Sequence, residues 1–378
     1  MNEAKLKMNN SPHQLSKFST KKIMRDVIIS MIPALIAGVI FFGIYALMIV
    51  CITILSCVVS EIIYNKVRKK PLTVKDLSAV VTGLILGLNL PPNSPIYIPI
   101  IGGVFAIIIV KMLFGGLGKN FANPAATARV FLLLGYATMT RYIVPSLISG
   151  NYTGFGDLIT GSTYLSGGIN ATTLQTQFLG FTGLKALNLQ LFLGATGGCI
   201  GETSALAILI GFIYLTVRKV IDIRIPFAVV LSSAFFAFVF TGNINNVLPQ
   251  ILSGGLLFGA VFMATDYATS PMTVSSKLFF GFGIGLITML IRFYGSYPEG
   301  MSLAIVFMNL LVPLMDRYIL PVRFGENRKA IAPMVSICLV LVMCVILIIS
   351  GFITKDKQYN DSISNDINEC SIYGGDLL

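Results

Sequence analysis

Residues 27–65 read VIISMIPALIAGVIFFGIYALMIVCITILSCVVSEIIYN, two apolar runs that meet at Gly43-Ile44 and stop at the basic loop Lys66, Arg68, Lys69 and Lys70. A helix needs about 20 apolar residues to cross the hydrocarbon of a bilayer, and Val27 to Gly43 and Tyr45 to Asn65 each come near that length. Continued along the chain, the same reading predicts further spans at Leu77 to Leu90, Ile96 to Leu113, Thr127 to Tyr142, Cys199 to Val217, Phe227 to Thr241, Val247 to Ala264, Leu278 to Ile291, Met301 to Met315 and Ile331 to Ile353. The third and the eighth are short and closed by Pro or Gly, as half-helices or tilted elements are. With 55% hydrophobic and 11% charged residues, the 378-residue chain has too little polar surface to cover a water-soluble globule.

The net charge of +11 would suit nucleic acid, but its distribution does not. Of the 27 Lys and Arg, 22 fall in segments that a zig-zag threading puts on one side: Lys5 to Arg25, Lys66 to Lys75, Lys111 to Arg129, Arg218 to Arg224, Lys277 and Arg317 to Lys329. An excess of basic residues in short loops marks the cytoplasmic side, so the expectation is a plasma-membrane protein with its N-terminus inside and no nucleic-acid partner. The polar N-terminal arm lacks the short apolar core and cleavage site of a secretory signal and is read as cytoplasmic.

Between the fifth and sixth spans lies a long loop, Pro145 to Leu189, rich in Gly, Ser, Thr and Asn and nearly free of charge. The threading makes it extracytoplasmic. The eleventh span follows the basic stretch Arg323 to Lys329 and leads into a tail with Asp356, Asp361, Asp366, Glu369 and Asp376, which reads as disordered and outside.

The two halves echo each other. Leu77-Ser78 to Ser94-Pro95 matches Leu252-Ser253 to Ser270-Pro271, each in a Gly-spotted apolar stretch that the threading crosses in opposite senses. An odd number of spans per half turns a duplicated half upside down, so the expected fold is an all-α polytopic membrane protein of about ten transmembrane helices in two inverted five-helix repeats, plus one extra C-terminal helix.

Few residues remain to carry chemistry. Glu202, in Gly201-Glu202-Thr203-Ser204, opens an apolar helix, and Asp266, in Thr265-Asp266-Tyr267, lies where the eighth span breaks. A carboxylate near hydrocarbon is costly and marks an ion or proton path by default, although an N-cap or turn role is open to both. The six cysteines show no C-x-x-C and the single histidine is His13, so no metal site is expected. The run Gly115-Gly116-Leu117-Gly118-Lys119-Asn120 to Pro124 lacks the Gly-Lys-Ser/Thr ending of a nucleotide loop. A glycine-rich turn before a Pro-started helix still offers N–H groups to a flavin or phosphate edge, or serves simply as a tight helix entry.

At this run the chain resembles a known family. Gly115 to Arg129, Gly201 to Ala207, Val217 to Pro226, Met263 to Pro271 and Tyr297-Pro298-Glu299-Gly300 look like the D subunits of Rnf ion-translocating oxidoreductase complexes, homologous to the B subunit of the sodium-pumping NADH:quinone oxidoreductase. The resemblance covers about Ser11 to Gly325, and Ser11-Pro12-His13 followed by Ser19 to Met24 is similar to the Rnf branch.

The resemblance implies FMN joined through its phosphate to a threonine in the outer loop. The family's motif falls on Ser166-Gly167-Gly168-Ile169-Asn170-Ala171-Thr172, where Gly167, Ala171 and Thr172 agree and Ser166, Ile169 and Asn170 depart; Thr172 is the expected attachment residue and Thr173 the alternative. It also implies a second, non-covalent flavin, riboflavin or FMN, for which Asn123 and Arg129 are candidates. The partners would be the other Rnf subunits, A, B, C, E and G, and a flavin transferase.

The organisation then expected is a basic arm at 1–26, a membrane half at 27–142, the flavin-bearing loop at 143–198, a second half at 199–316, a basic segment at 317–330, the extra helix at 331–353 and the tail at 354–378. The function implied is electron transfer coupled to movement of Na+ or H+, in a protein inactive by itself. A solute transporter or channel with inverted repeats, and the B subunit of the quinone reductase, are the alternatives.

Overall fold

The computed structural model describes residues 19–71, 73–136, 139, 177–178, 181–182, 184–194, 196–295 and 299–319. Thr172 and Thr173, His13, the segment from Arg323 to Lys329, the expected eleventh span and the tail lie outside them. Two compact units divide the chain, Met1–Asp316 and Arg317–Leu378.

The first unit is helical. Helix α1 spans Thr20–Phe42 and α2 Ile44–Val67, with Gly43 between them at φ +81°. Helix α3 (Ser78–Leu88) is followed by α4 (Tyr97–Val104), whose axis continues as a π-helix through Phe105–Met112. Helix α5 is Pro124–Gly135. A two-residue antiparallel ladder, β1 (Gln177–Phe178) with β2 (Phe181–Thr182), precedes α6 (Leu184–Leu193). Then come α7 (Ala205–Val217), α8 (Arg224–Thr241), α9 (Val247–Leu252), α10 (Leu256–Phe258) with a π-helical continuation Gly259–Met263, α11 (Val274–Tyr294) and α12 (Met301–Tyr318).

Among the described residues, α1, α2, α8 and α11 are long and apolar enough to cross a membrane. A fifth crossing results if Ile244–Leu252 and Leu256–Met263, bent by 63° at their break, count as one span. Helices α3, α5, α6, α7 and the Tyr97–Met112 segment are apolar but shorter. The surface is that of a protein solvated by lipid: Ile36, Ile44, Phe227 and Leu231 are more than half exposed, while Asp26, Glu61, Lys111, Arg129 and Glu202 are buried.

Helices approach closely where small residues face a neighbouring backbone. A Cβ on Gly83 of α3 would stand 2.7 Å from the Cα of Ile54 in α2, and one on Gly211 of α7 would run into the carbonyl oxygen of Ser30 in α1. Such contacts gather dispersion energy that large side chains would prevent.

Several boundaries differ from the hydropathy reading. Helix α1 starts at Thr20, because the Ser19 side chain accepts the N–H of Lys22, so the end of the expected basic arm is helical. The long polar loop holds α6, whose Ala186, Leu187, Gln190 and Leu191 are buried and whose Leu187 and Leu191 pack with Leu252. The break in the eighth span falls at Ser253 to Gly255, where Gly254 and Gly255 have φ near +60°, ahead of Asp266.

Candidate functional site

Three arrangements of polar side chains lie inside the apolar bundle. The first joins α2, α3 and the π-helical end of α4. Lys111 Nζ stands 2.9 Å from Glu61 Oε2 and donates to Ser78 Oγ at 2.7 Å, with side chains 2% and 1% exposed for Lys111 and Glu61. Thr73 donates to the other oxygen of Glu61, and Asn65 donates to Thr73. Extra residues in a π-helix redirect side chains, and here the redirected turn carries Lys111 inward.

The second surrounds the break of the bent pair. Arg129 of α5 donates to Glu299 at 2.8 Å and contacts Cys199 Sγ at 3.3 Å. Arg292, near the end of α11, donates to the backbone oxygens of Gln250, Ser253 and Gly254. Those carbonyls have no helical partner because the chain breaks there, and a guanidinium supplies donors in the fork they need. Glu202 lies against Gly255, so closely that a Cβ on that glycine would collide with Glu202 Oε1. Among the described residues, Glu202 Oε2 and Arg292 Nε are buried without a hydrogen-bond partner.

Donor atoms of Cys199, Glu202 and Glu299 lie within 4.8 Å of one another, a spacing that a metal ion accepts. The guanidinium of Arg129 already sits on Glu299 and Cys199 and supplies the counter-charge there. Arg129, Arg292, Glu202 and Glu299 therefore lie close enough to act on one another's charge.

The third arrangement is a cavity of about 80 Å³, open on one side, lined by residues of both halves, Val81, Thr82 and Ile85 of α3 with Val261, Phe262 and Thr265 from the end of the bent pair. Asn120 and Asn123 reach it, and Asp266 stands at its edge. Asn123 caps α5: its Oδ1 accepts the N–H groups of Ala125 and Ala126, and its amide donates to the carbonyl of Met263 at 3.1 Å. The first-turn N–H groups that the sequence offered to a phosphate edge are thus bonded within the chain. Asn120 Oδ1 is buried without a partner among the described residues.

The residues singled out in the sequence separate in space. Asn123 and Asp266 line the cavity, whereas Arg129 belongs to the charged cluster with Glu202. Glu202 does not open α7; it precedes it, and Ser204 caps the helix by accepting the N–H of Ala207 at 3.3 Å. Asp266 accepts from the N–H of Ala268 and the hydroxyl of Thr269 in a turn. The sequence reading passed over Glu61, Lys111, Arg292 and the partner role of Glu299, although Glu61 interrupts an apolar run and is as unusual there as Glu202.

Two further ion pairs lie toward the helix ends. Arg218 meets Asp26 at 3.0 Å, and Lys277 meets Asp222 at 2.8 Å. The Asp26 carboxylate, by hydrogen bonding and by its charge, raises the Arg218 guanidinium above its ordinary range.

A profile of the NQR2, RnfD, RnfE family matches residues 7–325. The D subunit of the Na+-translocating ferredoxin:NAD+ oxidoreductase complex of Acetobacterium woodii is 45% identical over 323 residues, 84% of this chain and 95% of its own. The D subunit of the proton-translocating ferredoxin:NAD+ oxidoreductase complex of Clostridium ljungdahlii is 38% identical over 339 residues, 87% of this chain and 100% of its own. The D subunit of the ion-translocating oxidoreductase complex of Actinobacillus succinogenes is 34% identical over 352 residues, 85% of this chain and 99% of its own. With residues 7–325 matched and relatives aligned along nearly their whole length, the chain belongs to the NQR2, RnfD, RnfE family.

Proposed function

We propose that this chain is the membrane flavoprotein of an ion-translocating ferredoxin:NAD+ oxidoreductase complex, carrying electrons through FMN held on Thr172. The observation that carries the reading is the 45% identity, across 84% of the chain, to a relative named for that activity. The fold proposed is the pair of inverted five-helix halves with the extra span at 331–353, the N-terminus inside and the loop at 143–198 outside. The other subunits of the complex supply ferredoxin oxidation and NAD+ reduction, and a flavin transferase loads Thr172.

The second, non-covalent flavin of this reading sits at the cavity between the halves, whose walls are mostly apolar and where the unpartnered Asn120 Oδ1 offers an acceptor to a ring or ribityl donor; at about 80 Å³ the cavity takes a ring system only if its walls part. Asn123 holds the cavity's shape by tying α5 to the carbonyl of Met263. A bound flavin supplies one- and two-electron chemistry there. Glu202 and Asp266 are the ion-path residues of this reading, Glu202 because one of its oxygens is buried and unsatisfied beside a broken helix. In low dielectric, a unit of charge gained about 4 Å from such a carboxylate alters its hold on a cation by ~4 kcal/mol at an effective dielectric of 20.

The test of the covalent flavin is fluorescence of the denatured protein band after expression with its transferase. The wild-type band glows and Thr172→Ala is dark. A glowing Thr172→Ala band moves the attachment to Thr173 or elsewhere, and a dark wild-type band favours a non-redox transporter with the same halves.

A further inference from the structure

The break in the bent pair gathers unsatisfied polar groups. Among the described residues, nine buried side-chain polar atoms have no hydrogen-bond partner, and four of them belong to this break: Glu202 Oε2, Gln250 Oε1, Ser253 Oγ and Arg292 Nε. Glu202, Gln250 and Ser253 are 8%, 5% and 5% exposed, so all three are more than nine-tenths buried. Folded interiors leave few such groups, and a local concentration of them marks a place where something else is held.

The backbone brings the three oxygens to one turn. Gln250 and Ser253 stand three residues apart at the end of α9, hence on one side of it, and the Arg292 guanidinium bonds the backbone oxygens of both. Glu202 reaches the same turn from the segment before α7, with its Oε2 3.1 Å from the point where a Cβ on Gly255 would lie. Gly255, two residues beyond Ser253, leaves the carboxylate its room. A carboxylate, an amide oxygen and a hydroxyl thus meet the C-terminal end of a broken helix, where the backbone dipole is negative.

We propose that Glu202, Gln250 and Ser253 bind one small, partly dehydrated monovalent cation at this break. The proposal rests on the reading of the chain as part of an ion-translocating complex, and it gives the ion at Glu202 its other ligands.

Charge decides the valence. Arg129 donates to Glu299 and contacts Cys199, and Arg292 donates to the carbonyls of Gln250, Ser253 and Gly254, so neither guanidinium bonds Glu202 Oε2, although both act on its charge. A divalent ion would add charge beside two guanidiniums. A monovalent ion that enters as a proton leaves the Glu202 carboxyl adds none: one O–H bond breaks, one cation–carboxylate contact forms, and the proton goes to water. The spacing of Cys199, Glu202 and Glu299 makes no rival divalent site, because Arg129 holds two of the three. The remaining unsatisfied atom, Arg292 Nε, is a donor and suits a water molecule in the ion's shell.

Ordered water without an ion would satisfy the same four atoms, and the two cases separate in the intact complex. An apolar carbodiimide attaches to a protonated carboxyl and spares a carboxylate that holds a cation. Labelling of Glu202 is read by mass of its peptide, with Na+ or with choline at equal ionic strength. Na+ is expected to slow labelling at least tenfold, and Ser253→Ala and Gln250→Leu are each expected to raise the Na+ concentration for half-protection at least tenfold. Labelling at the same rate with Na+ and with choline overturns the site in favour of water alone. Unchanged half-protection in whichever of the two variants assembles overturns the assignment of its ligands.

Where Glu202 resists the reagent even in choline, radioactive Na+ retained after rapid desalting decides. The wild-type complex is expected to hold one Na+ more than Glu202→Gln, and equal retention overturns the site. A wild-type complex that passes electrons without ion uptake overturns the underlying reading instead, while protection and retention still decide whether Glu202, Gln250 and Ser253 hold a cation.

Discussion

Two helix starts inside the bundle are built alike and finished differently. Helix α3 begins after Leu77, at φ +61°, and α10 begins after Gly255, at φ +66°, so both chains enter a helix from a left-handed residue. In both a cation from the end of a later helix reaches the turn: Lys111 donates to Ser78, and Arg292 donates to Gln250, Ser253 and Gly254. At α3 that cation also meets a carboxylate, Glu61, braced by Thr73. At α10 the arginine is spent on backbone carbonyls, and Glu202 beside Gly255 keeps an oxygen with no partner among the described residues. One start is closed by a satisfied pair and the other is held open with a buried acceptor to spare. Satisfied networks stabilise and unsatisfied buried groups call for a functional reason, so the difference makes the first a structural tie and is why the ion contact is proposed at the second.

The largest effect comes from breaking a pair on one side only. Glu61→Ala, which leaves the buried Lys111 without its carboxylate, is expected to cost about 3–5 kcal/mol, and Glu299→Ala, which takes one carboxylate from Arg129, somewhat less, read as loss of assembled complex or a lower melting temperature. The double exchange of Arg129→Met with Glu299→Gln is expected to recover most of it. If single and double exchanges behave alike, neither pair is coupled as drawn.

Gly255→Ala comes next. It drives a methyl into Glu202 Oε1 at a left-handed φ, which costs about 1–2 kcal/mol for the backbone before the carboxylate moves. Thermal unfolding of the complex checks this, and a stable Gly255→Ala that still moves ions would separate Glu202 from the break.

The mirror experiment is smaller. Leu77→Gly relieves a left-handed leucine of ~1 kcal/mol of strain and loses part of a half-buried side chain, so a net change within about 1 kcal/mol is expected. A cost as large as that of Gly255→Ala would mean that the two starts are alike after all.

The smallest effect is at a loop. Burial raises the Asp222 carboxyl, but the hydrogen bond from Lys277, the N–H of Arg224 and both positive charges outweigh it, and the net direction is down from the usual carboxylate range. A carboxyl depressed in the fold contributes stability above its unfolded pKa and loses it as pH falls through the folded one. Lys277→Met is therefore expected to cost a few tenths of a kcal/mol, about the worth of an exposed pair, at pH 7, and nothing once acid has protonated Asp222.

Much of the fold was legible because membrane spans are written in composition. The expected span from Phe227 to Thr241 is the helix Arg224–Thr241, and that from Ile96 to Leu113 is the segment Tyr97–Met112. Helix ends are set by hydrogen bonds and not by hydropathy, which is why Ser19 begins α1 well ahead of Val27. Helix α6 was hidden because its leucines sit in a stretch with the polar composition of a loop.

The site was less legible. Lys111 and Arg129 count toward the basic side in any tally of charge, yet both are buried in ion pairs, because a tally by position cannot tell a loop from a redirected turn. Glu202 could be singled out alone, but its neighbours Arg292 and Glu299 come from segments about 90 residues downstream, and a single chain carries no record of that meeting.

The account rests on a flavin-bearing threonine, and the most direct measurement is mass analysis of the peptide from Ser162 to Lys185 after expression with the transferase. The account predicts an FMN-sized increment on Thr172. A peptide of unmodified mass, from protein with no yellow chromophore, would contradict it.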